Sequence, residues 1–243
     1  MRTQGQKVLL SSGGMDSALL AQRPELYGAV HVFVDIGQKY LAKELRAASL
    51  VAQNSNAALH VVRTMQIAEF EHTSGIIPFR NAEMILCAAQ YGTDIYLGVI
   101  ADEINSDKSP EFCRAIEDVL NISHKKQYWT EGKDFQIHTP FRQWSKTDLV
   151  TEYLRTGGSL SQLLQSVSCY SSTDQHCGEC ASCFKRWVAL VNATGRNSAC
   201  EWGFLYDPYN WKSQTEWEAK LTAYSTQRAD EILSAFAIAR NVE

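Results

Sequence analysis

Five short apolar runs, separated by segments with helical periodicity, constrain the fold of this chain more than any other feature. Each run is rich in β-branched or apolar residues and is bounded by Gly, Asp, Asn or Pro, which is typical of buried strands. Strands that alternate with helices indicate an α/β fold, in which helices cover both faces of a parallel sheet. Ligands of such folds bind at the carboxyl ends of the strands. We predict strands at Val8–Leu10, Ala29–Ile36, Leu59–Val62, Ile95–Val99 and Phe135–Thr139.

The helical segments between these runs carry recognisable end signals. Residues 41–52 place apolar side chains on one helical face. Ser109 followed by Pro110 is typical of a helix start, because serine caps the first turn and proline has no N–H group to satisfy there. A helix that begins at Lys146 is predicted to end at Gly157–Gly158.

The composition excludes several classes of protein. The 243 residues are 45% hydrophobic, which suffices for a sizeable core. The charged residues, 23 basic and 27 acidic, give a net charge of −4 and no strong nucleic-acid signal. No leader-like N-terminus and no apolar stretch approaching about 18 residues is present, so we expect a cytoplasmic protein without a membrane segment.

The composition changes near residue 160, where cysteines and aromatic residues replace the alternating elements. We therefore predict one domain over residues 1–160 and a C-terminal helical region over 161–243. Its last part, residues 200–243, contains a helix-like segment that keeps Trp217 and Tyr224 on one side and continues to Ala239. Two interpretations stay open for this extension: packing on the domain or on a second subunit, and docking of a protein partner.

The stretch "LLSSGGMDSALL" joins the first predicted strand to a helix. Gly13 and Gly14 permit positive φ and bring backbone N–H groups close to an anion, and the following helix start adds partial positive charge. Ser12 and Ser17 add hydroxyl donors. Asp16 is out of place beside phosphate unless it caps the helix or helps to hold Mg²⁺. The stretch therefore indicates a phosphate-binding loop.

A tight turn with Asp16 or Ser17 as an ordinary helix cap is the alternative for this stretch. The lysine of a Walker loop and the G-x-G-x-x-G spacing are both absent. These absences argue against a P-loop kinase and a dinucleotide enzyme.

Four of the seven cysteines are spaced C-x7-C-x2-C-x2-C, which is typical of a tetrahedral Zn²⁺ site. No ligand position remains open in such a set, so we interpret the zinc as structural. An iron–sulfur cluster is the alternative. His176, beside the cluster, is expected at the surface, and the other three cysteines are expected to act as small buried apolar residues. The predicted ligands are Cys169, Cys177, Cys180 and Cys183.

The pattern S-G-G-x-D-S after a first strand resembles the pyrophosphate (PP) loop of the ATP pyrophosphatases, which have a Rossmann-like fold. Together with the cysteines it resembles the QueC family, the 7-cyano-7-deazaguanine synthases, over about residues 7 to 190. Segments that match the family's motifs follow in order: "VDIGQKY", "IPFRNAEMI", "GVIADEINSDKSPEF", "IHTPFRQWSKTDLV" and "SCYSSTDQHCGECASC".

The resemblance implies an ATP-dependent ligase that adenylates the carboxylate of 7-carboxy-7-deazaguanine and uses ammonia to form the nitrile by way of the amide. It implies ATP, Mg²⁺ and Zn²⁺ as cofactors, and we expect a homodimer. Alternatives are a QueC-like enzyme of an antiviral or phage system, which stops at the amide or conjugates the deazaguanine to a protein amine, and a non-catalytic binding module. A tRNA-modifying relative is disfavoured by the acidic composition.

The resemblance also assigns roles to residues. Lys146 and Arg80 neutralise negative charge near the α-phosphate or the carboxylate, and Asp16 belongs with them as a catalytic residue. Gln38, Asn81 and Asp102 contact the nucleotide or a base edge. Without the resemblance, Arg80 would be read as pairing with Glu83, Lys146 as solvated and Asp102 as a turn cap. The resemblance implies that the phosphates are contacted by Ser11, Ser12, Gly13, Gly14, Met15, Asp16 and Ser17.

Three departures from the family pattern lie near the expected acceptor site. Phe79 stands where the family has a glycine before the R-N pair, the segment between His60 and Ile77 is short, and "DEINSDKSPEF" keeps only part of the polar pattern. The phosphate loop and the cysteines are intact, so the resemblance supports adenylation more firmly than nitrile formation.

Overall fold

The protein consists of two compact units, Met1–Gln143 and Trp144–Glu243. A computed structural model describes residues 4–73, 76–101, 106–171 and 173–241. Each unit is described by itself below. The domain boundary expected near residue 160 stays a prediction.

The first unit contains a five-stranded sheet in which every pairing is parallel. The α/β class and all five predicted strands are confirmed. The fourth strand is shorter than predicted because pairing with the fifth strand ends where the Leu97 N–H group donates to the His138 carbonyl. The N–H group of Val99 then donates to the carbonyl of Leu97 rather than to a neighbouring strand. The order is β3-β2-β1-β4-β5, with β1 Lys7–Leu10, β2 Val30–Asp35, β3 Leu59–Arg63, β4 Asp94–Tyr96 and β5 Gln136–His138.

Among the described residues, four α-helices accompany this sheet. The predicted cap of the last one is confirmed, because the Ser109 side chain accepts a hydrogen bond from the Phe112 N–H group at 3.1 Å. Val8 and Leu10 lie in one apolar cluster with residues of the third and fourth helices, whereas Leu9, between them, points to the other face of the sheet. The helices are α1 Met15–Ala21, α2 Leu41–Asn54, α3 Arg80–Ala88 and α4 Pro110–Ser123.

The strand order reverses at β1, which pairs with β2 on one side and with β4 on the other. In open parallel sheets, a crevice for ligands forms at the carboxyl ends of the two strands that flank such a reversal. The loop after β1 and the segment after β4 meet there, since a Cβ atom added to Gly98 would lie 3.1 Å from the Cβ of Asp16. The topology therefore places the predicted phosphate loop at the expected ligand crevice.

The second unit is helical. Its first helix begins with a capping box, in which the Ser145 hydroxyl accepts from the N–H group of Asp148 and the Asp148 carboxylate accepts from that of Ser145. As predicted, this helix begins at Lys146 and ends just before Gly157. The helices are α5 Lys146–Arg155, α6 Leu160–Leu164, α7 Ala181–Thr194, α8 Gln214–Leu221 and α9 Thr226–Arg240.

The prediction of one uninterrupted helical stretch near the C-terminus is wrong. The chain leaves helical geometry after α8 and starts again at α9, because the Ser225 side chain caps α9 by accepting from the Arg228 N–H group at 3.4 Å. A serine at this position competes with continued helix by offering its own acceptor to the backbone.

Aromatic side chains of the extension pack inside the second unit. The rings of Phe184 and Trp217 stack with 4.0 Å between centroids, and Phe236 contacts both Trp187 and Trp217. Trp187 and Trp217 are buried. This burial favours packing over docking as the role of these rings, and the protein partner stays a prediction. Within the described ranges, no helix combines the length and the apolar character that a membrane crossing needs.

Candidate active site and metal centre

The phosphate loop is shaped by close packing against α2. Gly13 has a φ of +72°, and a Cβ atom at this position would lie 2.6 Å from the carbonyl oxygen of Glu44 and 2.7 Å from the nitrogen of Ala48. Positive φ and backbone contact both require glycine here. Neighbouring helix packing therefore fixes the conformation of the loop before any ligand binds.

The polar groups of the loop are partly committed to one another. The Gly14 N–H group donates to the Ser12 hydroxyl at 3.3 Å, and the Ser17 hydroxyl donates to the Gly14 carbonyl at 2.9 Å. Gly14 is the N-cap of α1, and no side chain caps this helix, so the interpretation of Asp16 or Ser17 as the cap is wrong. The buried Ser11 hydroxyl has no hydrogen-bond partner among the described residues.

Gln38 is held between the end of β2 and α2. Its side-chain oxygen accepts from the Ile36 N–H group at 3.0 Å, and its amide nitrogen donates to Glu44 Oε2 at 3.0 Å. These two bonds fix which way the amide points. The second N–H of the Gln38 amide can therefore be offered to a ligand in a defined direction.

Glu44 was missed by the sequence analysis, although it lies in the first turn of α2, shortly after Gln38. Burial raises the pKa of its carboxyl group to about 7, while the hydrogen bond from Gln38 and the positive charges of Arg80 and Lys43 act in the opposite direction. Because α3 follows β3 in a parallel sheet, it begins at the carboxyl ends of the strands, the edge that also carries the phosphate loop. Gln38 and Glu44 are hydrogen-bonded beside Gly13, and together with Arg80, which opens α3 at the same edge of the sheet, they are called the polar cluster here.

The start of α3 supplies two of the predicted site residues. Arg80 and Asn81 open this helix, and the buried Asn81 side chain has an amide nitrogen without a hydrogen-bond partner among the described residues. The alternative pairing of Arg80 with Glu83 is not formed, because both buried carboxylate oxygens of Glu83 lack a hydrogen-bond partner in this part of the chain.

Phe79, the N-cap of α3, has a φ of +60° and a ψ of 5°. This left-handed conformation costs a residue with a Cβ atom about 1–2 kcal/mol. The backbone thus keeps the geometry that a glycine would adopt, although the residue is a phenylalanine. Its side chain is 80% exposed.

Two predicted site residues are not brought into this cluster by the described contacts. Lys146 is the first residue of α5 in the second unit, and Asp102 lies outside the described residues. Their roles stay predictions.

The four predicted metal ligands converge in the second unit. Their sulfur atoms all lie within 4.8 Å of one another, and 3.8 Å separates Cys177 Sγ from Cys183 Sγ. Bonds of about 2.3 Å around tetrahedral Zn²⁺ place neighbouring sulfur atoms about 3.8 Å apart. Both the donor set and the spacing fit such a metal. The set is Cys169, Cys177, Cys180 and Cys183.

Backbone N–H groups stabilise thiolates in this cluster. Those of Ser171 and Cys177 point to Cys169 Sγ at 3.4 Å, and that of Cys183 points to Cys180 Sγ at 3.4 Å. Hydrogen bonds from Cys180 and Cys183 lower the pKa of Cys169 far below its usual value, and the contact with Cys169 raises the pKa of Cys183. The cysteines thus compete for thiol protons, and a cation that displaced the remaining protons would end this competition.

The turn that carries Cys177 is closed by the chain after residue 200. A Cβ atom on Gly178, which has a φ of +82°, would overlap the Tyr206 carbonyl, and the Tyr206 N–H group donates to the Cys177 carbonyl at 3.3 Å. His176 is not a surface residue as expected. It is buried, and its Nε2 accepts from the Ser168 N–H group at 3.1 Å, which makes it a brace for the turn.

The three remaining cysteines differ in exposure. Cys113 is buried, as expected, and Cys87 is half-buried. Cys200 is exposed, so its expected burial is wrong.

Comparisons with known proteins agree on one family. The family described as "Queuosine biosynthesis protein QueC" matches residues 71–194. The 7-cyano-7-deazaguanine synthase of Methylococcus capsulatus is 34% identical over 206 residues, which cover 72% of this chain and 89% of that protein. The synthase of Synechococcus sp. strain CC9902 is 31% identical over 226 residues, covering 81% and 97%. That of Haloarcula marismortui is 27% identical over 221 residues, covering 78% and 92%.

Proposed function

The chain belongs to the QueC family, and we propose on this basis that it converts 7-carboxy-7-deazaguanine to 7-cyano-7-deazaguanine with ATP and ammonia. The observation that carries the proposal is the glycine loop, which is held against α2 at the reversal of the strand order. A loop of this kind at a parallel-sheet crevice suits the binding of phosphate groups.

Two adenylations account for the proposed conversion. A carboxylate is a poor electrophile, so one of its oxygens first attacks the α-phosphate of ATP and pyrophosphate leaves. Ammonia then displaces AMP, which carries that oxygen away, and the amide forms. The amide oxygen then attacks a second ATP as pyrophosphate and one N–H proton leave, and loss of AMP with the second N–H proton gives the nitrile. Each cycle consumes two ATP molecules and releases two AMP and two pyrophosphate molecules.

The chain's own residues position these groups and balance their charge. We assign the loop residues 11–17 to the phosphates, and Asp16 would help to hold Mg²⁺ there. Gln38 offers a directed amide, and Arg80 supplies positive charge beside it. Bound Mg²⁺ would offset the charge of the triphosphate. Asn81, Lys146 and Asp102 keep the roles that the resemblance implies.

The zinc site is proposed to be structural. Four thiolates complete a tetrahedral coordination sphere, and a catalytic site keeps one position for water or substrate. Proximity of the four sulfur atoms supports this assignment.

A second candidate is favoured by one observation, the exposed phenylalanine at the position of the family's glycine. A changed acceptor side would suit an enzyme that adenylates the same carboxylate and stops at the amide, or passes it to an amine of a protein. The first half of the chemistry is the same in both candidates, and only the nucleophile or the end point differs.

Product analysis tests both candidates. The purified protein is incubated with ATP, Mg²⁺, 7-carboxy-7-deazaguanine and ammonium, and small products are identified by mass spectrometry. Nitrile with two AMP per turnover is the expected result. Amide with one AMP, or a deazaguanine-sized mass on a protein, would favour the second candidate. Absence of AMP would contradict both. The Asp16→Ala variant serves as the inactive control, and light scattering of the same sample tests the proposed homodimer.

A further inference from the structure

The conformation of Phe79 gives no benefit to the folded chain. Its N-cap carbonyl accepts the ordinary helical hydrogen bond from the Glu83 N–H group at 3.0 Å, which glycine would make equally well. The side chain is 80% exposed, so its burial does not offset the backbone strain. Asn56 is the other non-glycine residue with positive φ among the described residues, and asparagine tolerates this region far better than phenylalanine.

The position of Phe79 connects it to the polar cluster. It directly precedes Arg80 at the start of α3, and this helix begins at the carboxyl ends of the parallel strands, the edge that also carries the phosphate loop. Strained backbone that the fold does not need is concentrated at ligand sites, where the strain holds a side chain in a required place. Phe79 thus lies at the same edge of the sheet as the proposed site, and its side chain is exposed.

We propose that Phe79 determines specificity by stacking its ring on the flat heterocycle of a substrate. This inference rests on the proposed function, which supplies two such heterocycles, the deazaguanine of the acceptor and the adenine of ATP. Both present a π-face to an aromatic side chain. Phe79 acts on binding only, because a phenyl ring has no group that transfers protons or holds charge.

The substitution Phe79→Gly separates binding from folding. Glycine adopts the left-handed conformation without strain, so the variant is expected to melt roughly 2–4 °C above the wild type. The same variant loses the stacking surface, and its affinity for one heterocycle is expected to fall about 5- to 50-fold. A residue with a purely structural role would not produce a higher melting temperature together with weaker binding.

The controls isolate the ring. Phe79→Tyr keeps an aromatic surface and is expected to bind within about threefold of the wild type. Tyr128→Ala removes an exposed aromatic ring from the connection between α4 and β5. This connection leads into the amino end of a parallel strand, at the edge of the sheet opposite the phosphate loop, so no change in affinity is expected.

Calorimetric titrations with 7-carboxy-7-deazaguanine and with a non-hydrolysable ATP analogue test the inference without turnover. Weaker binding of Phe79→Gly to the first ligand alone assigns the ring to the acceptor, and weaker binding to the second alone assigns it to adenine. Unchanged affinity for both ligands, or a lower melting temperature, would overturn the inference and leave the proposed function standing. If the wild type binds neither ligand, the proposed function fails and the inference fails with it.

Discussion

The phosphate loop and the cysteine cluster both depend on a glycine in the left-handed region, yet they are held in place in opposite ways. Gly13 packs against the backbone of α2, and Gly178 packs against Tyr206. The loop offers backbone N–H groups and hydroxyls whose arrangement is fixed by packing. The cluster offers four sulfur atoms that compete for protons until a cation replaces them. We therefore expect the loop to keep its shape without a ligand and the cluster to depend on a bound metal ion.

The largest expected effect comes from removing one sulfur ligand. Cys180→Ser deletes a thiolate and weakens the acceptor of the Cys183 N–H group. Because metal binding and folding are coupled in such sites, we expect the zinc content to drop from about one ion per chain to near zero and the free energy of unfolding to fall by about 5 kcal/mol. Elemental analysis and denaturant unfolding measure the two quantities.

Cys200→Ser is the matched control, since this exposed cysteine lies outside the cluster. A Cys180→Ser protein with unchanged stability and no metal would show that the ligand does not organise this site. Visible absorbance with iron in place of zinc would instead establish the iron–sulfur alternative.

A smaller effect is expected in the loop. Gly13→Ala introduces a Cβ atom 2.6 Å from the Glu44 carbonyl and also strains φ. We expect a loss of about 3 kcal/mol in the free energy of unfolding and a decrease of about 100-fold in the rate of AMP formation, because the loop can relieve the clash only by moving away from α2.

Gly28→Ala provides the comparison for this variant. Gly28 has a φ of +78° and open space around its missing side chain, so alanine adds strain without a clash and is expected to cost about 1 kcal/mol. Equal effects of the two substitutions, measured by urea unfolding, would show that packing against α2 does not shape the loop.

The smallest effect concerns the pH dependence of stability near the loop. The Glu44 carboxyl has its pKa raised from 4.5 to about 7, so the folded state binds its proton more tightly than the unfolded state. Its contribution to stability is full below about pH 4.5 and is lost as the pH rises through about 7. Partial solvent exposure reduces this contribution to on the order of 2 kcal/mol.

Glu44→Gln is expected to remove this contribution while keeping an acceptor for Gln38. The difference in free energy of unfolding between variant and wild type, measured at pH 5 and pH 8, isolates Glu44 from the pH dependence of metal binding, which both proteins share. Glu69→Gln, at an exposed carboxylate, should leave the pH dependence of the free energy of unfolding as it is in the wild type. If the free energy of unfolding of Glu44→Gln changed between pH 5 and pH 8 as much as that of the wild type, the raised pKa would be contradicted.

The sequence predicted the parts of the molecule that depend on local patterns. The strands along the chain, the cap at Ser109 and the convergence of the four cysteines all follow from periodicity or short spacing, and the structure confirms them. The break between α8 and α9 was missed because the helical periodicity continues across it, while the Ser225 side chain stops the helix.

The rest of the candidate site depends on contacts between distant segments. The pKa of Glu44 depends on its burial and on groups from other segments, among them Gln38 and Arg80, so no single stretch of sequence indicates it. For Phe79, in contrast, the sequence did indicate an unusual position. Its departure from the family pattern was visible in the sequence, but only the backbone angle reveals that the conformation typical of glycine has been kept.

The central place of β1 has a consequence for biosynthesis. Val8 pairs with Val30 on one side, and Lys7 pairs on the other side with Asp94, which is translated much later. A nascent chain therefore presents the complete loop sequence long before the strand that forms the second wall of its crevice has been translated. Closing so long a segment costs entropy and slows folding. An early translational stop would release a fragment that carries the whole predicted phosphate loop but only one of the two strands that flank the crevice.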